Sequence, residues 1–214
     1  MRAGMNTPAN SGSGPERAPG GTRDRVVDAA LTAFGRRGYD VTSLDAVAGE
    51  LGVRKQTILY YFPSKEALLE AVVDQAALEL TGVLSLASPG PGPAWARVRA
   101  VVRAVFRLAA RRPELLGLVR EVSRLGPPSA TRFAVMLGPL IDGATRFLED
   151  AMVRGELRSQ DARLLLLMAY SSVVGVATEV EVLRALGVEP TARSMVRQRQ
   201  ALLGFLRSAL LPAG

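Results

Sequence analysis

The 214-residue chain carries 27 Lys plus Arg against 20 Asp plus Glu, a formal charge of +7, and contains neither histidine nor cysteine. Those absences exclude thiolate and Ser-His-Asp nucleophiles, disulfides and His/Cys metal sites, since each needs a soft ligand or a base that titrates near neutrality. Lys55 and Lys65 are the sole lysines, so Schiff-base chemistry has almost no candidates either, and an enzyme is the least expected class, with no metal or cofactor implied.

A hydrophobic fraction of 48% with only 5% aromatics favours packed aliphatic helices, and the length fits one or two domains. Residues 1–21, rich in Gly, Pro and small polar side chains, are expected to form a disordered arm. The arm has no apolar run that could serve as a signal peptide, and with no cysteine in the chain a cytoplasmic location is expected.

Beyond the arm the period is helical. Val26, Val27, Ala30, Leu31 and Phe34 recur at spacings of three and four, and Gly35 and Gly38 close the pattern. Thr42 and Ser43 offer N-caps to a short helix with Leu44, Val47, Ala48 and Leu51 on its apolar face, which Gly52 ends. A second short helix follows over residues 54–62 and stops at Pro63, so the pair predicts a helix-turn-helix. Arg54, Lys55, Gln56, Thr57, Tyr60 and Tyr61 crowd this second helix, a composition ill suited to a core. Lys and Gln can read purine edges, while Thr and Tyr hydroxyls reach phosphate oxygens.

The run Thr42-Ser43-Leu44-Asp45-Ala46-Val47-Ala48, then residues 51–69 with Gly52, Arg54-Lys55-Gln56-Thr57, Tyr60-Tyr61-Phe62-Pro63 and Ser64-Lys65-Glu66, resembles the DNA-binding head of the TetR family of bacterial transcriptional regulators. The likeness spans residues 22–69, including the Phe34-Gly35-Arg36-Arg37-Gly38-Tyr39 ending of the first helix. It implies base reading by Lys55 and Gln56, phosphate contacts from Thr57, Tyr60, Tyr61 and Lys65, and contributions from Ser43 and Arg54. Leu59 stands where many members have Tyr. Asp45 stands where some present a basic residue; it could accept from a cytosine amino group or cap its helix clear of the phosphates.

Ser64 is the expected N-cap of a long lever helix, broken at residues 88–93 by Ser-Pro-Gly-Pro-Gly-Pro. Four or more further helices are predicted at 94–112, 113–124, 129–154 with a possible bend at Pro139, 161–186 and 191–210. Residues 164–178 are uncharged yet too short to span a bilayer, which takes about 20 apolar residues, so a buried helix is expected. Arg99, Arg103, Arg107 and Arg111 fall opposite the apolar side of their helix and read first as a solvated face, with an anionic effector or further DNA as the alternative.

The expected fold is therefore all-α: a three-helix head (22–68) followed by a helical body (69–214). The resemblance implies a ligand-responsive repressor that binds a roughly palindromic operator as a homodimer through residues 161–186 and 191–210. Its effector would lie among some of Trp95, Phe106, Met136, Phe147, Met168 and Tyr170. A ligand-independent activator or architectural protein is the alternative. The charge supports DNA binding only locally: residues 1–80 hold nine basic and ten acidic side chains, and the surplus lies in the body.

Overall fold

The computed structural model describes residues 20–87, 92–178 and 180–212. The expected arm falls outside it except for Gly20 and Gly21, as does most of the break at 88–93. All regular structure among the described residues is helical: α1 (Thr22–Arg37), α2 (Leu44–Leu51), α3 (Lys55–Tyr61), α4 (Lys65–Ala87), α5 (Ala94–Arg111), α6 (Pro113–Leu125), α7 (Ser129–Val153), α8 (Ala162–Thr178), α9 (Val180–Ala185) and α10 (Ala192–Leu210).

Local chemistry sets the boundaries. Ser43 is the N-cap of α2, its Oγ accepting from the Ala46 amide at 3.1 Å, and Ser64 does the same for α4 through the Ala67 amide. Thr42 is instead buried, its hydroxyl donating to the Gly38 carbonyl at 2.7 Å. Gly52 adopts φ 66°, ψ 30°, the left-handed conformation that lets its amide reach back to Ala48 and Gly49 and turn the chain into α3. Thr191 and Ser194 form a reciprocal capping pair at the start of α10. The helix expected over 161–186 is described as α8 and α9, and α7 continues through Pro139.

Two apolar clusters organise the chain. The first joins Val26, Leu31 and Phe34 of α1, Val47 of α2 and Ile58 of α3 with Leu68 and Val72 of α4, Leu115 and Leu118 of α6, and Phe133 of α7. The second joins Val102 and Phe106 of α5 to Leu148 and Ala151 of α7, Leu165 and Val173 of α8, and Leu202, Leu206 and Leu210 of α10. The core of the head is thus shared with α4 and α6, so packing does not divide where the chain leaves the helix-turn-helix.

The contact between α1 and α6 is made backbone to backbone. A Cβ on Gly35 would collide with the carbonyl oxygen of Glu114, and one on Gly117 with the carbonyl oxygen of Gly35. Ion pairs flank this seam: Arg36 with Glu114 at 3.6 Å, Arg112 with Asp28 at 2.8 Å, and Arg124 with Asp40 at 2.7 Å. The Glu121 carboxylate accepts from the Tyr39 amide at 2.6 Å across the same seam. Arg112 also lies 3.7 Å from Glu79 of α4, and its Nε sits 3.0 Å from Glu114 without hydrogen-bond alignment. One guanidinium therefore touches the first helix, the lever and the body.

Candidate nucleic-acid interface and effector cavity

Helix α3 is held by one residue and presented by the rest. Ile58 is completely buried, which stabilises the docking of α3 by roughly 1.5–3 kcal/mol, and Leu59 packs partly against the same core. Leu59 thus serves as packing where a Tyr would have offered a hydroxyl. Arg54, Gln56 and Tyr60 are exposed, Tyr60 at 83%, and its ring meets Tyr61 edge to face at 5.0 Å. The α3 N-terminus bears no side-chain cap and no acidic residue in its first turn, so its amide donors and partial positive charge remain available to a phosphate.

The cations around α3 are arranged by neighbours. Lys55 Nζ lies 2.8 Å from Asp45 Oδ2, so Asp45 steers the lysine from the preceding helix; the Ala46 amide goes to Ser43, not to Asp45. Lys65 sits 4.1 Å from the centre of the Tyr39 ring and 3.4 Å from the Asp40 carbonyl, which fixes it beside the start of α4. Ser43 is exposed but its Oγ is used as a cap. Arg36 and Arg37, at the end of α1, have protein partners: Arg36 lies 3.6 Å from Glu114 and Arg37 2.6 Å from Glu50.

Tyr39 donates to Glu66 at 3.2 Å. Burial, then the Glu66 charge, pushes its phenol up to about 12. Glu66 is held below the usual carboxylate range by its own backbone amide at the helix N-terminus, then by Ser64 and Tyr39.

In the body, a cavity of about 620 Å³ opens between α4, α5, α7, α8 and α10. Its walls are Val98, Val101, Val102, Pro139, Leu140, Phe147, Leu165, Leu206 and similar residues, with Thr81, Ser85 and Arg97 as the polar members. Of the six aromatic and methionine residues anticipated from sequence, Phe147 lines it. Phe106 is buried beside it in the distal core and Trp95 packs on that core, whereas Met136 packs on the head-side cluster. Met168 and Tyr170 are surface residues, 63% and 44% exposed. Size and polarizability of a side chain carry no record of which side of a helix faces a void, and branched aliphatics supply most of the wall. A second cleft of about 650 Å³, between α1 and α4, is lined by Arg23, Asp24, Arg25, Asp28 and Asp74, two cations against three carboxylates, together with Val27, Ala71 and Leu78.

Helices α8 and α10 leave apolar side chains in solvent. Leu164, Leu167 and Met168 lie along one face of α8, and on α10 Val196 and Phe205 are exposed, Phe205 at 66%. Residues 164–175 are therefore only partly buried within one chain. No helix among the described residues is long and apolar enough to cross a membrane. Arg99, Arg103, Arg107 and Arg111 are all exposed.

A capped helix-turn-helix with a cationic, tyrosine-rich second helix, mounted on an all-helical body with its own cavity, defines a DNA-binding regulator. Residues 26–72 match the model of bacterial regulatory proteins of the tetR family. The HTH-type transcriptional regulator RutR of Escherichia coli O157:H7 is 31% identical over 143 residues, which cover 67% of this chain and 58% of RutR. The negative regulator IcaR of Staphylococcus aureus (strain Newman), of the biofilm operon icaADBC, is 37% identical over 51 residues, 24% of this chain and 27% of IcaR. A TetR transcriptional regulator from Chloroflexus aurantiacus superposes with a TM-score of 0.71 at 22% identity, covering 89% of this chain and 96% of that one. The chain belongs to the TetR family of bacterial transcriptional regulators.

Proposed function

We propose that the protein is a ligand-responsive repressor that binds a roughly palindromic operator as a homodimer and is released when a small molecule fills the body cavity. The observation that carries this reading is that the cavity wall includes Thr81, Leu84 and Ser85 of α4, the helix whose first turn holds Lys65 and abuts the head. A ligand there touches the lever directly. The seam at Gly35 and Gly117, with Arg112 bridging α1, α4 and α6, supplies a second connection, so a shift of α6 carries α1 with it. The switch extends only as far as the ligand's affinities for the two body states differ.

Lys55 and Gln56 are assigned to base edges, with Asp45 positioning the lysine; Arg54, Thr57, Tyr60, Tyr61 and Lys65 are assigned to phosphates, and Ser43 acts through the cap of α2. The exposed faces of α8 and α10 are assigned to the second copy. Ala201 and Gly204 beside Phe205 are small enough for close approach between helices. Two-fold symmetry then sets the recognition helices about 34 Å apart, or a multiple, along the duplex. Selection from a random duplex pool tests this: an inverted repeat with half-sites one or more turns apart is expected, and no enrichment of any sequence contradicts it.

A further inference from the structure

The cavity also specifies the chemistry of what fills it, an inference that rests on reading the cavity as the effector site. Among the described residues that line it, Arg97 is the single charged one, none is Asp or Glu, and the other polar side chains are the hydroxyls of Thr81 and Ser85. The polar groups are gathered at one end. Ser85 lies in the last turn of α4 and Arg97 in the first turn of α5, so both flank the α4–α5 connection, with Thr81 one turn further along α4. The Arg97 guanidinium is stacked 3.8 Å from the centre of the Phe147 ring, which itself forms part of the apolar wall. Leu165, Leu206 and Leu210 close the rest with hydrocarbon.

We propose that the cavity takes an apolar monoanion: a molecule with a hydrocarbon body and a single carboxylate-type head, the head meeting Arg97 and the Ser85 and Thr81 hydroxyls. A planar guanidinium pairs with a carboxylate through charge-assisted hydrogen bonds, and the ring beneath it keeps the fork oriented. A cation would face the positive charge of Arg97, and no carboxylate is found among the described lining residues to receive it. A polyphosphate or sugar would press several strongly hydrated groups against walls that offer them no partner. A cavity of about 620 Å³ is in the range of small-molecule sites. Because two of the three polar contacts are on α4, the head group reports directly to the lever.

Three probes that share one chain and differ in head charge test it: decanoate, 1-decanol and decyltrimethylammonium, each titrated calorimetrically into the full chain without DNA. Decanoate is expected to bind about tenfold or more tighter than decanol, with no binding of the ammonium. Arg97→Gln should bring decanoate down to the level of decanol, and Arg97→Lys should keep part of the preference. Equal affinities in the wild type, binding of none of the three, or an anion preference that survives Arg97→Gln would overturn the proposal. Operator affinity is measured separately. Arg97-dependent decanoate binding that leaves operator affinity unchanged supports the ligand class and removes the switch. Operator release by decanol or the ammonium, with decanoate inert, retains the switch and overturns the anion.

Discussion

The two ends of the molecule are packed differently. Around the head, Val26, Ala30, Leu31, Val47, Ile58, Leu68, Val72, Val73, Leu115 and Leu118 have no exposed surface, and the α1–α6 contact is so close that neither glycine could carry a Cβ. At the distal end Val102, Phe106, Leu165, Val173, Leu202 and Leu206 each keep a little exposure, and a cavity lies among them. Close-packed interiors transmit displacement because they cannot absorb it, whereas a walled void can change its contents. The distal body is suited to sense and the seam to relay.

The largest expected effect breaks the closed end. Gly117→Ala should cost about 3 kcal/mol by overpacking against the Gly35 carbonyl, lowering Tm by roughly 10 °C for a chain of this size. The control is Gly82→Ala, at a helical glycine with open space around it, which should raise stability by about 0.5–1 kcal/mol. Thermal melts of the two variants compare a seam with a surface; loss of the contrast would mean the seam gives way easily.

Next comes the exposed apolar face. Leu167→Glu with Phe205→Glu should convert a dimer to a monomer in sedimentation experiments and weaken operator binding by about 30-fold or more. A dimer that persists places the interface elsewhere. At the head, Lys65→Ala should weaken all duplexes alike and lower the slope of log affinity against log salt by about 0.9, the signature of one lost phosphate contact. Tyr61→Phe should weaken all sequences by a smaller, salt-insensitive amount.

The smallest effect is in pH. The phenol of Tyr39, raised from its ordinary 10.0 to about 12 by burial and then by Glu66, is favoured in its neutral form by folding. Its contribution is present below pH 10 and is lost as pH rises through about 12. Glu121, held below its ordinary 4.5 by the Arg124 hydrogen bond and then the Tyr39 amide, contributes above that value and its share is lost as pH falls below it. With no histidine or cysteine to titrate in between, the urea midpoint should be flat across the neutral range and fall at both ends. A step near pH 6.5 would contradict this.

Much of the head was legible because its signals are local. Ser43, Gly52 and Ser64 act on amides a few residues away, and Val26 to Phe34 declare one buried face by period alone. What escaped is long-range. Nothing near Gly35 says that it will meet Gly117, and nothing near Arg36 and Arg37 says that Glu114 and Glu50 will be brought beside them. The cavity was the least legible part. Its walls are ordinary Leu and Val, and Arg97, which distinguishes it, looks in sequence like one more arginine on a helix already carrying Arg99 and Arg103.

The most direct measurement is the affinity of the full chain for the selected inverted-repeat duplex and for a scrambled duplex at one salt concentration, in the wild type and in Gln56→Ala. The wild type should prefer the selected duplex by about 10³ or more, and Gln56→Ala should lose roughly 1–3 kcal/mol of discrimination at a single base pair in each half-site while binding the scrambled duplex unchanged. Equal affinity of the wild type for the two duplexes, or undiminished discrimination in Gln56→Ala, would contradict sequence reading by α3.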